Sequence, residues 1–145
     1  MRKKLPARRS DCPISCALDF IGDKWTLLVL RDLIIPRKRY FRELAANEGI
    51  ASNILTSRLK LLEAAGMVTR RHDPEHGRQV IYEPTAKALD LLPVMLELVR
   101  WGATHNTKTG APPGMVKRIA RDRDGLAADL RIAAMGRSHR ESGRA

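Results

Sequence analysis

Between Tyr40 and Val68 the apolar positions fall into two short helical periods separated by a turn. Phe41, Leu44 and Ala45 share one face of the first; Leu55, Leu59 and Leu62, at three- and four-residue spacings, form a buried stripe along the second. Asn47, Glu48 and Gly49 break the first helix, and Gly49 supplies the backbone freedom of a sharp turn. Ser52, a hydroxyl residue ahead of a new apolar period, is the expected N-cap of the second helix. The opposite face of that helix is polar. Ser52, Asn53, Thr56, Ser57 and Lys60 make a small hydrogen-bonding set with one cation, suited to base edges in a major groove.

The period then changes. Gly66 ends the helix, residues 67–72 read as a strand, Asp73 to Gly77 as a turn, and residues 79–82 as a returning strand. A helix pair alone is a common αα-hairpin, and a following solvated β-hairpin needs no ligand. The basic studding of this hairpin by Arg70, Arg71 and Arg78, with His72 and His76, favours a wing that reaches phosphates beside the groove. The expected fold is mainly α with a small β-hairpin, a winged helix-turn-helix with double-stranded DNA as partner.

Upstream, residues 13–21 read as a helix opened by Pro13 and broken at Gly22 and Asp23. Residues 24–34 carry Trp25, Leu28, Val29 and Leu33 on one face, which should roof the helix pair, with Trp25 as a core residue. Pro36 ends this helix. Arg37, Lys38 and Arg39 then form a cationic loop, read as phosphate contacts together with Arg58, Arg70, Arg71 and Arg78; a solvated turn is the bland alternative for the loop.

From Leu89 to Trp101 apolar residues occupy nearly every side of a helix, more than a small domain can cover alone, and Pro93 inside the run should kink it. A homodimer is therefore expected, with Leu92, Met95, Leu96, Val99 and Trp101 at its interface. The alternative is a C-terminal tail folded back over this face through Ile119, Leu126, Leu130 and Ile132. Two-fold symmetry would set paired recognition helices about 34 Å apart on a pseudo-palindrome. Beyond Pro112 and Pro113, two amphipathic patches at residues 115–120 and 126–135 precede an Arg/Gly/Ser-rich end, residues 136–145, that reads as disordered.

Charge supports a polyanionic partner without specifying one. The chain of 145 residues carries a formal +11, of which residues 1–11 and 111–145 hold +4 each and the longer middle only +3. Basic ends grip phosphates without reading sequence, so a sequence-blind nucleoid or RNA-binding protein is the competing class. No apolar run spans a membrane and no secretory signal is evident, so a cytoplasmic protein is expected. No Ser, His or acid set has the spacing of a nucleophile and its base, and His72, Asp73, Glu75 and His76 flank a turn without assembling an expected metal site; no cofactor is implied.

Cys12 and Cys16 are too few for a disulfide scaffold. Cys12 precedes Pro13 at a helix N-terminus, where the backbone dipole favours a thiolate and Arg8 and Arg9 could help while Asp11 opposes. It reads either as a small apolar residue or as a thiol sensor, with a thiol-dependent enzyme as the remotest alternative. Cys16, a full turn further in, reads as packing.

The segments CPISCALDFIGDKWTLLVLRDLI, KRYFREL, GIASNILTSRLKLLEAAGMVTRR, VIYEPT and LLPVMLELVRWG together resemble the HxlR-type winged helix-turn-helix regulators, a branch related to the MarR group, from Cys12 to Gly102. The specific pieces are Cys12-Pro13, the Gly22-Asp23-Lys24-Trp25 break, Phe41-x-Glu43-Leu44, Leu59-x-x-Leu62-Glu63 with Gly66, and Trp101-Gly102. The resemblance implies a homodimeric transcription regulator, a repressor by expectation, and a cysteine at the Cys12 position that in several relatives senses quinones, aldehydes or oxidants. Glu83-Pro84-Thr85 departs from the family pattern; Pro84 should shorten the second wing strand while Thr85 still caps the next helix. The expected organisation is a basic arm over 1–11, the winged domain with its dimerisation helices over 12–109, and a basic extension over 110–145.

Overall fold

The computed structural model describes residues 4–46 and 48–141. Arg2 and Lys3 of the expected basic arm, Asn47 of the expected turn, and residues 142–145 of the expected disordered end lie outside the described residues. Two compact units divide at Ala88.

The first unit contains α1 (Pro13–Ile21), α2 (Thr26–Ile34), α3 (Phe41–Ala45), α4 (Ser52–Ala64), β1 (Val68–His72) and β2 (Val80–Pro84). Its core is aliphatic: Val29, Leu30, Leu33 and Ile34 of α2 are buried with Leu44 of α3, Leu55, Leu59 and Leu62 of α4, and Val68 and Ile81 of the hairpin. Trp25, expected in this core, precedes α2 half-buried, with the Lys24 ammonium 4.7 Å from its ring centre. The indole thus gives a face to a cation instead of filling the interior. Gly49 and Gly66 take φ of +63° and +71°, the left-handed backbone the turn after α3 and the end of α4 require.

The strands pair antiparallel with Val68 opposite Pro84 and His72 opposite Val80. Pro84 does not shorten β2. The next residue, Thr85, donates its N–H to the Met67 carbonyl at 3.0 Å, so Pro84 occupies the alternate, non-bonded position where a missing N–H costs nothing. On that outer side Tyr82 N–H bonds the Arg39 carbonyl and Ile81 bridges Tyr40, which ties the wing to the start of α3. Thr85 donates its hydroxyl to the Gly66 carbonyl at 2.7 Å and stands at capping reach, 3.5 Å, from Ala88 N–H at the head of α5 (Ala86–Leu89).

The second unit is built of α6 (Leu92–His105) and α7 (Pro113–Glu141), which pack along one another. Pro93 causes no kink. It lies in the first turn of α6, where its missing donor is one the helix start would leave unpaired in any case, and residues 90–91 break the run between α5 and α6. The two amphipathic patches of the extension are parts of α7, interrupted at Asp122 (φ −153°, ψ 69°). Asp122 accepts a bond from Gly125 N–H at 3.0 Å, so its carboxylate caps the second segment of the helix. The helix does not stop at Gly136, where composition suggested disorder, but continues to Glu141. A helical glycine costs only about 1 kcal/mol, too little to end a helix by itself.

Buried Ile119, Leu126, Ala127 and Ala134 of α7 complement buried Leu92, Met95 and Leu96 of α6. The tail therefore does fold over part of the apolar helix through Ile119 and Leu126, while Ile132, expected with them, is 70% exposed, and Leu92, Met95 and Leu96 of the expected dimer interface are interior to the chain. Val99 is half-buried. A stripe made by Val94, Leu98 and Trp101, 45%, 50% and 59% exposed, remains uncovered.

Candidate nucleic-acid interface

The local chemistry of α4 starts one residue earlier than its hydroxyl pattern implies. Ala51 is the N-cap, with extended φ/ψ and no side-chain bond, and Ser52 is the first helical residue. The outward face follows the sequence expectation: Ser52, Asn53, Thr56 and Lys60 are exposed, opposite the buried leucines. Thr56 donates its hydroxyl to the Ser52 carbonyl at 2.8 Å, which leaves its oxygen lone pairs and methyl to meet a partner. Ser57 lies half-buried at the margin of this face. No acidic side chain occupies the first turn of α4, so the helix presents its positive end and short polar groups together.

The wing carries Arg70 and Arg78 exposed, on β1 and in the turn. Arg71 is half-buried and donates to Glu83 across the hairpin at 3.1 Å. A groove between the start of α3 and β2 is lined by Phe41, Arg42, Arg78 and Tyr82, with no acidic residue on its wall among the described residues. Arg42 is exposed there and was missed as a phosphate candidate; the signal available was its polar position on α3, opposite Leu44.

Three other expected phosphate ligands do structural work instead. Arg39 is 9% exposed, and its guanidinium donates to the carbonyls of Leu33, at 2.6 Å, and Lys38, at 2.9 Å. The first of these lies in the last turn of α2, where a cation answers both unpaired carbonyls and the negative helix end. Lys38 donates to buried Asp32 at 3.2 Å, and Asp32 also accepts from Arg31. Arg58 turns inward from α4, its Nη1 3.5 Å from Asp23 Oδ2, with a buried Nε that has no hydrogen-bond partner among the described residues. Arg37 stands at φ +58°, half-buried. The cationic loop is thus mainly a clasp.

Asp23 explains the Gly-Asp-Lys-Trp break. Its Oδ1 accepts the N–H groups of Trp25 (2.8 Å) and Thr26 (3.1 Å), and its Oδ2 accepts the hydroxyl of fully buried Thr26. Burial alone would raise the carboxyl's pKa; the Thr26 hydroxyl, the two backbone donors and Arg58 outweigh it and hold the group below its ordinary value. One carboxylate therefore starts α2 and tethers α4. Glu43 does a similar service for α3, accepting from Arg39 N–H at 2.8 Å and Tyr40 N–H at 3.0 Å.

Cys12 is exposed and caps α1 in extended backbone, and Cys16 is half-buried with Sγ 3.3 Å from the Ser10 carbonyl. The arginines expected to assist Cys12 are engaged elsewhere: Arg8 pairs with Asp11 at 3.0 Å and Arg9 with Asp19.

Residues 20–109 match the family model described as HxlR-like helix-turn-helix. The chain is 39% identical over 96 residues to the HTH-type transcriptional regulator BH0655 of Halalkalibacterium halodurans, covering 66% of this chain and 85% of that one. Among solved structures it is similar to PA1607, at 30% identity over 72% of each chain with a TM-score of 0.65. It is also similar to the redox regulator HypR in its oxidized form, at 32% identity over 66% of this chain and 98% of that one, with a TM-score of 0.57. No helix among the described residues is long and apolar enough to cross a membrane.

Proposed function

Since the chain belongs to the HxlR-like helix-turn-helix family of transcriptional regulators, we propose that it acts as a homodimeric, cytoplasmic repressor that reads a pseudo-palindromic operator and excludes polymerase from it. It is a DNA-binding regulator and not an enzyme. The observation that carries the reading is the outward polar face of α4, Ser52, Asn53, Thr56 and Lys60, set beside a basic wing. Asn53 has the donor–acceptor pair that matches adenine bidentately, and Ser57 and Thr56 contact bases more loosely. Arg42, Arg70 and Arg78 take phosphates, which fix register without reading sequence.

Dimerisation is supported by the uncovered Val94–Leu98–Trp101 stripe, whose members stand three and four residues apart and whose burial between two copies would remove large apolar side chains from water. A response to oxidants or electrophiles is supported by the exposure of Cys12 at the start of α1 and by the likeness to HypR. Selection of bound sequences from a random duplex pool, with and without a thiol oxidant, tests the whole reading. An enriched inverted repeat with half-sites about one helical turn apart is expected. An unenriched pool would leave only sequence-blind binding.

A further inference from the structure

His76 stands at the tip of the wing with 61% of its side chain exposed, and its Nδ1 lies 3.2 Å from Oδ2 of Asp73. Asp73, by contrast, is buried, and its carboxylate is fully engaged: it accepts the Glu75 N–H at 2.8 Å, the Tyr40 hydroxyl at 2.8 Å and the His76 N–H. The Glu75 backbone donor, followed by the Tyr40 hydroxyl, holds the Asp73 pKa below its ordinary value, so the acid is anionic throughout the neutral range. The other titratable and charged residues of this hairpin end are Glu75 in the turn, Arg78 beyond it and His72 at the end of β1, and the Tyr40 phenol, ahead of α3, reaches the same carboxylate.

This arrangement has a chemical consequence. A carboxylate facing Nδ1 selects the tautomer with the proton on Nδ1, which leaves a bare lone pair on Nε2. A lone pair repels a phosphate oxygen. Only the imidazolium has a donor on each nitrogen, so the ring can bridge Asp73 to an external phosphate only when it carries a second proton. We propose that His76, oriented by Asp73, is a DNA-phosphate contact of the wing tip that takes up a proton as the duplex binds. The proposal rests on the reading of the wing as a phosphate-binding element. Asp73, whose Oδ2 also accepts the Tyr40 hydroxyl, is its positioning residue.

Proton linkage makes the effect measurable. With one such group per protomer, DNA affinity should rise by up to about tenfold per pH unit per protomer as pH falls from about 8 to about 6. The experiment is calorimetric titration of a random-sequence duplex, since phosphate contact is sequence-independent, in two buffers of different ionisation enthalpy. The native protein should take up protons on binding. His76→Gln should bind without that uptake and lose the pH dependence, whereas His76→Arg, permanently charged, should bind tightly at all pH values and also without uptake. Equal proton uptake by the native protein and His76→Gln, or none by either, overturns the proposal. Arg78→Ala measured alongside separates the two levels. A reduced salt dependence in that variant with no proton uptake in the native protein leaves the wing as a phosphate contact and rejects only the histidine; an unchanged salt dependence rejects the wing reading itself.

Discussion

Replacing Asp23 by alanine should be among the most damaging single changes in the first unit, although the residue touches no DNA. The substitution removes an acceptor for two backbone donors at the start of α2, a cap loss of about 1–2 kcal/mol. It leaves the Thr26 hydroxyl, 0% exposed, without its acceptor, at about 1 kcal/mol or more. It also strips Arg58 of its counter-charge; both side chains are about a quarter exposed (26% and 27%), so that pair is screened and contributes about 0.5–1 kcal/mol. Together these come to about 3 kcal/mol, which for a unit of this size lowers the melting temperature by about 12–24 °C. Because the folded-state pKa of Asp23 is lowered, its contribution is present above the unfolded value near pH 4 and is lost as pH falls through the folded one. The difference between native and variant should therefore shrink only in acid below about pH 4. Thermal unfolding of the native protein, Asp23→Ala, Arg58→Met and the double variant closes a cycle, with an expected coupling of about 0.5–1 kcal/mol. A melting shift of only a degree or two in Asp23→Ala would refute this. So would a zero coupling accompanied by a loss of one phosphate's worth of salt dependence in Arg58→Met, because Arg58 would then be reaching DNA.

Three further outcomes follow from the same geometry. Cys12→Ser should keep the DNA affinity of the native protein while abolishing release by an oxidant or electrophile, read by mobility shift; release that persists in the variant rejects Cys12 as the responding thiol. Trp101→Lys with Leu98→Lys places charges on the uncovered stripe of α6 and should give a monomer by sedimentation with DNA affinity reduced more than tenfold, whereas an unchanged dimer would put the interface elsewhere. Arg78→Ala should lower the slope of log affinity against log salt by about 0.9 per protomer with little loss of stability, while Arg39→Ala should leave the slope unchanged and destabilise the fold by about 2 kcal/mol through the Leu33 and Lys38 carbonyls it abandons.

The parts of the fold that were legible in the sequence are those set by local period and punctuation. Leu55, Leu59 and Leu62 define the buried side of α4 through their spacing alone, and Gly49 and Gly66 sit where only a left-handed backbone completes the turn. The hairpin was equally readable, because Asp73 to Gly77 interrupt two runs of opposite character. What sequence could not give was the destination of each charge. Lys38, Arg39 and Arg58 look identical to Arg42, Arg70 and Arg78 in a string, and tertiary neighbours alone decide that the first three meet Asp32, backbone carbonyls and Asp23. The same holds for Leu92, Met95 and Leu96. Their exposure depended on whether the distant segment of α7 covers them, and Ile119, Leu126 and Ala134 belong to the stretch that does so. Pro93 failed as a kink signal because residues 90–91 break the apolar run just ahead of it and turn an interior position into a helix start.

The claim on which the functional account turns is that α4 reads bases while the wing holds the backbone. Binding of the native protein and of Asn53→Ala to a selected operator and to random duplex, at fixed salt, tests it directly. The variant should lose about 1–3 kcal/mol per half-site on the operator, confined to one base position in each, and bind random duplex as the native protein does. Equal losses on both duplexes, or none on either, would contradict it.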